Sequence, residues 1–366
     1  MNKSKTLGLY IHVPYCKQKC HYCDFYSLAN PQTAMEYAAH VAKTVADMAK
    51  RYPYLVDTVY FGGGTPTMMP KEGLGLILQA VRTHFAVTDD AEITCEINPG
   101  EGYPTSVEAL ADLGVNRLSV GLQSAVETEL GVLGRKHTQN DVKVLLDRAK
   151  AAGIHNTSVD LMWGIPHQTV ASALQSVDFA VSLNPTHISA YMLKIEEGTS
   201  FGKNPPPLPD EDTVCEIYET CCSALEQAGY PRYEISNFAK IGFESKHNCK
   251  YWNCENTVGI GPAAHSFVDG KRFYYPRDLQ AFVQGCDPVD DGVGGDFIEY
   301  AMLQLRLARG LQQQDCMKKF GHPIPQELLT KAKPMIDHGL MTYDGNALCF
   351  TTKGNLVSNE ILATIL

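Results

Sequence analysis

The stretch Leu7-Gly8-Leu9-Tyr10-Ile11-His12-Val13-Pro14-Tyr15-Cys16-Lys17-Gln18-Lys19-Cys20-His21-Tyr22-Cys23 decides how this chain is read. Its first seven residues are apolar enough for a buried strand, and Pro14 stops it. Three cysteines then follow at spacings of four and three, in the loop after the strand. Thiolates suit zinc and iron–sulfur clusters. A structural zinc takes four protein ligands, so a count of three matters. Three cysteines on a [4Fe–4S] cluster leave one iron open to an amine and a carboxylate. His21 or His12 would complete a zinc site instead, and three unliganded thiols form the third alternative.

Outward from this stretch one pattern repeats. Short apolar runs at 7–13, 58–61, 92–96, 117–120, 158–162 and 187–193 each end in a Gly-, Pro- or polar-rich motif. Amphipathic stretches at 34–50, 74–83, 107–113, 141–152 and 171–182 lie between them. Strands alternating with helices imply a parallel sheet with helical crossovers. Six units over about 190 residues predict an incomplete (β/α)6 barrel, whose chemistry would sit at the C-terminal ends of the strands. The prolines of Lys203-Asn204-Pro205-Pro206-Pro207-Leu208-Pro209 mark a linker. A helix is expected at 212–228, then a Gly/Asn/aromatic-rich stretch at 229–276 with little periodicity. Helices near 296–309, 313–320 and 326–338, a hairpin turning at Asp344-Gly345-Asn346 and a last helix resemble a winged-helix-like unit. The expected organisation is a barrel over 1–200, a linker and barrel-closing segment over 201–290, and a smaller, mainly helical domain over 291–366.

Composition narrows the function. The chain has 366 residues, with 31 Lys+Arg against 41 Asp+Glu, a formal charge of −10. Hydrophobic residues make up 44%, enough for large cores without disulfide staples. The acidity argues against a general nucleic-acid binder. No apolar run reaches the ~18–20 residues of a membrane span. The basic start Met1-Asn2-Lys3-Ser4-Lys5 faintly resembles a signal-peptide n-region, but His12 and Pro14 interrupt the short apolar stretch after it. A cytoplasmic protein is expected, in which the 12 cysteines are buried thiols or metal ligands rather than disulfides.

Polar residues gather at the remaining strand ends. Phe61-Gly62-Gly63-Gly64-Thr65-Pro66-Thr67 would let backbone approach a ligand without Cβ interference. Glu96 closes the third run, Gln123 follows the fourth, Arg135 lies in Leu133-Gly134-Arg135-Lys136-His137, and Asp160 sits in the fifth. Two carboxylates, an amide and a guanidinium on one rim suit a zwitterionic nucleoside, with Arg for a carboxylate. The alternative is ordinary caps and salt bridges.

The triad followed by the glycine motif resembles the radical S-adenosylmethionine (SAM) superfamily. Nearly the whole chain resembles its oxygen-independent coproporphyrinogen III oxidase-like branch. The resemblance implies a [4Fe–4S] cluster on Cys16, Cys20 and Cys23. It implies SAM contacts from Tyr10, Tyr22, Gly63, Gly64, Thr65, Glu96, Gln123, Arg135, Asp160 and His265. The last lies in Gly259-Ile260-Gly261-Pro262-Ala263-Ala264-His265-Ser266, a loop expected to close over the site. True oxidases carry a fourth cysteine two residues after the triad, where Phe25 stands here, and an N-terminal extension before the first strand. Both departures point to the haem-chaperone group of the branch. Within that group, His247, Asn248, Tyr251 and Trp252 match a haem-binding motif, with His247 as the expected axial ligand and Cys249 and Cys254 as rivals. The implied partners are haem, acceptor haemoproteins (membrane-associated respiratory proteins among them) and an electron donor. Oxidative decarboxylation of coproporphyrinogen and a zinc-stapled binding protein are the alternatives. No residue is assigned a catalytic role, and the oligomeric state stays open.

Overall fold

The computed structural model describes residues 5–29, 31–100 and 102–366; residues 1–4, read above as a basic N-terminal start, lie outside them. Six parallel strands form its centre: β1 (Thr6–Val13), β2 (Leu55–Gly63), β3 (Ala86–Ile97), β4 (Arg117–Gln123), β5 (Asn156–Trp163) and β6 (His187–Met192). Helices α1 (Ala34–Arg51), α2 (Lys71–His84), α3 (Val107–Asp112), α4 (Glu127–Leu133), α5 (Gln139–Ala151) and α6 (Val170–Ser182) provide the crossovers. α1 shows why they form: Tyr37, Ala38, Val41, Val45 and Met48 recur every three or four residues and are all buried. α5 opens with a capping box, Thr138 and Asp141 each serving the other's backbone N–H.

Strands of a parallel sheet covered on both faces read as continuous apolar runs. Here they alternate. In β4, Leu118, Val120 and Leu122 belong to the main apolar core, while Arg117, Ser119 and Gln123 alternate with them. In β5, Ser158 and Asp160 alternate with Val159 and Leu161. One face of each strand therefore packs under the helices, and the other carries polar groups that bond to one another. Ser119 Oγ donates to Asp160 at 2.9 Å, and Ser158 Oγ lies 2.8 Å from His187 Nδ1.

The stretch without periodicity is not unstructured. After α7 (Ser200–Lys203) and α8 (Glu211–Gln227), β7 (Asn237–Ala239) pairs antiparallel with β6. Helix α9 (Lys246–Trp252) follows, and β8 (Thr257–Ile260) joins the sheet parallel to β1. β9 (His265–Val268), β10 (Lys271–Tyr274) and β11 (Val289–Val293) continue it antiparallel. Among the described residues eleven strands thus form one sheet with β7 and β11 at its edges. Strands of three to five residues carry too little alternation to be seen in sequence. Beyond them a second apolar core, including Tyr300, Leu311, Leu328, Met341, Phe350 and Ile361, unites helices with a three-stranded antiparallel sheet. Among the described residues no helix is long and apolar enough to cross a membrane.

Candidate functional site

The C-terminal ends of the parallel strands surround a cavity of about 970 Å³. Cys16, Cys20 and Cys23 line it, together with Tyr22, Gly63, Gly64, Thr65, Glu96, Gln123, Arg135 and Asp160. The cysteine loop is anchored by backbone bonds. The Cys16 N–H donates to the Leu28 carbonyl at 3.0 Å, the Leu28 N–H to that of Pro14 at 2.8 Å, and the His21 N–H to that of Leu133 at 3.3 Å. All three thiols are free of disulfides. Burial, with Cys20 and Cys16 nearby, pushes the Cys23 thiol up to about 11. A bound cation reverses that preference, because it favours thiolate over thiol.

Of the two candidate histidines, His12 has both ring nitrogens engaged and His21 only one. His12 has one ring nitrogen 2.8 Å from the Tyr26 carbonyl and the other 3.1 Å from the Tyr10 hydroxyl, and burial lowers it to about 4. His21 Nδ1 bonds the Val132 carbonyl at 2.9 Å. Among the described residues no three His, Cys, Asp or Glu side chains converge as a single metal ion needs. The donor set present, three thiols on a cavity with space beside them, fits a multi-iron cluster with one open iron.

The glycine motif lines the cavity and also packs against the cysteine loop. Its N–H groups are already used: Gly64 donates to the Val13 carbonyl at 2.8 Å, Thr65 to that of Tyr15 at 2.7 Å, and Gly63 to Glu96 Oε2 at 3.1 Å. Glycine is required for packing as much as for ligand approach. Gly63 sits at φ +103°, and a Cβ there would run into the His12 ring. A Cβ at Gly64 would lie 2.6 Å from the Tyr15 carbonyl oxygen. The motif thus locks the cysteine loop to β2.

Charge at the rim is graded. Burial and the neighbouring Asp160 raise Glu96 to about 7, against hydrogen bonds from the Tyr60 hydroxyl at 3.0 Å and the Gly63 N–H. Burial also raises Asp160. Gln123 is held at φ +68° on the irregular end of β4, a conformation non-glycine residues rarely adopt and one found at functional sites. A chain of bonds joins strand ends to the cysteines. Arg135 donates to the Tyr22 hydroxyl at 3.0 Å and to Asn98, Asn98 donates to Thr65 Oγ1 at 2.9 Å, and that oxygen lies 3.6 Å from Cys16 Sγ. Arg135 Nε is buried without a partner, a donor left for an anion. Asn98 and Ser119 line the cavity and escaped the sequence reading. Asn98 lies two residues after Glu96 and Ser119 on the polar face of β4, so strand alternation was the signal that could have found them.

Two expected SAM residues are not among those lining the cavity. Tyr10 lies deeper in the lumen, its ring packed against Tyr60 and His247. His265 starts β9, is exposed and stacks on Tyr274 with ring centroids 5.1 Å apart. The haem motif lies on helix α9. His247 is 1% exposed; its Nδ1 lies 2.8 Å from Thr58 Oγ1 and its Nε2 2.8 Å from the Tyr251 hydroxyl. Both ring nitrogens are hydrogen-bonded in this structure, and the Tyr251 that pairs with Nε2 is itself 42% exposed. Its helix closes the base of the barrel, at the end of the strands opposite the cysteines. Lys250 reaches Asp57 at 2.8 Å and Thr6 Oγ1 at 3.1 Å, and Gly8 leaves the room that both His247 and Lys250 need.

The profile of the radical SAM superfamily matches residues 10–180. The chain is 39% identical over 293 residues to the haem chaperone HemW of Escherichia coli (strain K12), covering 78% of each. It is 32% identical over 372 residues to the haem chaperone HemW of Bacillus subtilis (strain 168), covering 98% of each. The fold is similar to that of E. coli coproporphyrinogen III oxidase, HemN, described as a radical SAM enzyme. That likeness has a TM-score of 0.85 at 22% identity, over 99% of this chain and 90% of the other. With a cysteine triad on the rim of its parallel sheet and these relatives along its length, the chain belongs to the HemW family of the radical SAM superfamily.

Proposed function

We propose that this protein is a cytoplasmic haem chaperone that holds a [4Fe–4S] cluster on Cys16, Cys20 and Cys23, binds SAM beside it, and delivers haem to acceptor haemoproteins. Three free thiols on one wall of a cavity rimmed by Glu96, Asp160 and Arg135 carry the cofactor reading. The relatives named as haem chaperones carry the haem reading. A [4Fe–4S] cluster held by Cys16, Cys20 and Cys23, once reduced by an external electron donor, would supply one electron to the SAM sulfonium. The chain's own residues do the rest. Arg135, with its spare Nε, suits the methionyl carboxylate. Glu96 and Asp160 offer acceptors for the amine and ribose hydroxyls, and Tyr22 and Gln123 border the same space. Gly63, Gly64 and Thr65 hold the cysteine loop in register with β2.

The related reading, oxidative decarboxylation of coproporphyrinogen, draws on the shared fold with HemN. Phe25 weighs against it: this exposed ring lines the cavity where the oxidases carry a further cysteine. Anaerobic protein with its cluster reconstituted, given SAM, a reductant and coproporphyrinogen, separates the two. The expected result is no protoporphyrinogen, and haem transfer from the loaded protein to an apo-haemoprotein. Protoporphyrinogen formed over many turnovers would overturn the chaperone reading.

A further inference from the structure

The polar faces of β5 and β6 meet inside the barrel in a continuous line of hydrogen-bonding groups. Asp160 borders the upper cavity, and Ser158 Oγ lies 3.2 Å from its Oδ1. The same hydroxyl lies 2.8 Å from His187 Nδ1, and His187 Nε2 lies 2.9 Å from the Tyr233 hydroxyl. Tyr233, in the segment before β7, also lines a second cavity of about 440 Å³. Pro231 and Arg309 among its lining residues are exposed, so that cavity opens to solvent. The two cavities share no lining residue. Every link between them can both give and take a proton: hydroxyls donate and accept, and a neutral imidazole donates through one nitrogen and accepts through the other. His187 is fully buried, and burial, with Arg117 second, holds it well below its ordinary value, so the ring is neutral.

We propose that Asp160, Ser158, His187 and Tyr233 form a proton relay from the upper cavity to the second one, carrying away the proton that SAM binding displaces from Asp160; the proposal rests on the SAM reading of the upper cavity. Burial raises Asp160, so the free protein holds a proton there more readily than an exposed carboxyl would. A cationic amine and sulfonium arriving beside Glu96 and Asp160 favour the carboxylate form. A ligand in the upper cavity stands between Asp160 and the mouth, and the relay is an exit that does not cross it. The hops balance. The Asp160 proton passes to Ser158 Oγ, the Ser158 proton to His187 Nδ1, the Nε2 proton to the Tyr233 oxygen and the Tyr233 proton to water. Asp160 ends as a carboxylate, His187 as its other neutral tautomer and water as hydronium. No electron moves, and ligand departure reverses the sequence. Charged and titratable groups face the line along its length. Glu96 and Tyr191 stand at the Asp160 end, and Glu234 and Cys249 at the Tyr233 end. Arg117, 2% exposed and 3.9 Å from Glu92, faces the middle. Its charge disfavours an imidazolium, so the proton does not come to rest on His187.

The test mixes SAM with the cluster-loaded protein at pH 6 under anaerobic conditions. A pH indicator in stopped flow follows released protons, and rapid filtration of labelled SAM follows binding. In wild type, protons are expected to appear together with bound SAM. Ser158→Ala and Tyr233→Phe each interrupt the line, and in each of them release should lag binding by at least about tenfold. Tyr233→Phe, which touches neither Glu96 nor Asp160, should bind SAM with unchanged affinity. Ser158→Thr keeps the hydroxyl and should keep the wild-type rate, whereas a purely packing role for Ser158 would be disturbed by the added methyl. Iron and sulfide content in each variant reports an intact barrel. Release that keeps pace with binding in both Ser158→Ala and Tyr233→Phe overturns the relay, as does wild type that binds SAM and releases no proton. Wild type that binds no SAM overturns the cofactor reading itself, and the relay with it.

Discussion

The cysteine loop at the top of the barrel and helix α9 at its base both hold a short motif of potential iron ligands, yet their side chains are held differently. At the top the thiols line open space, have no disulfide partners, and are held in place by backbone bonds that leave their sulfurs on the cavity wall. At the base His247 is 1% exposed and spent on Thr58 and Tyr251, and Lys250 is spent on Asp57. In this structure the first motif faces open space, and the second has its buried polar side chains paired with neighbours. The same helix shows both cases, because Cys249 on its other face lines open space.

The sharpest break of this comparison is in iron content. Cys20→Ala should abolish the cluster, whereas Cys254→Ala, at the edge of the second core, should leave iron and sulfide at about four each per chain. Full iron and sulfide in Cys20→Ala would place the cluster elsewhere. Next comes Gly63→Val. The side chain meets His12 at a φ of +103°, a conflict of about 1–3 kcal/mol that is relieved only by moving the cysteine loop from β2. SAM affinity by equilibrium dialysis should fall by at least about tenfold. Unchanged affinity would mean the loop tolerates the shift.

At the base the same logic predicts lost stability with the cofactors kept. Lys250→Met leaves Asp57 without its 2.8 Å partner and should cost about 3 kcal/mol in urea unfolding, with iron content unchanged. A loss of iron without a loss of stability would reverse the roles of the two ends. The smallest effect is in pH dependence. Glu234, in the segment before α9, is 1% exposed, and burial raises it to about 7. The folded state therefore holds a proton that the unfolded state releases near the ordinary value of 4.5. Since the native state binds more protons, stability should fall as pH rises from about 4.5 through 7. Glu234→Gln should flatten that limb in urea midpoints taken at pH 5 and pH 8, and an unaltered slope would show that Glu234 is solvated.

Much of the upper site was legible in the sequence because its signals are local. Three cysteines within eight residues, three glycines after a strand and polar residues at strand ends each depend on spacing within one segment, and parallel β/α order brings those segments to one rim. The fate of α9 was not legible in this way. Whether His247 met iron, Thr58 or water depended on a partner 189 residues away, and only the base of the barrel supplies it. His265 shows the same limit, since its place on β9 depends on β8 pairing with β1 across most of the chain. The sequence by itself determined the six-unit parallel sheet, the triad on its rim and the net acidity. Tertiary structure decided which polar side chains face open space and which satisfy one another, because burial and hydrogen-bond pairing are set by chain segments far apart in sequence.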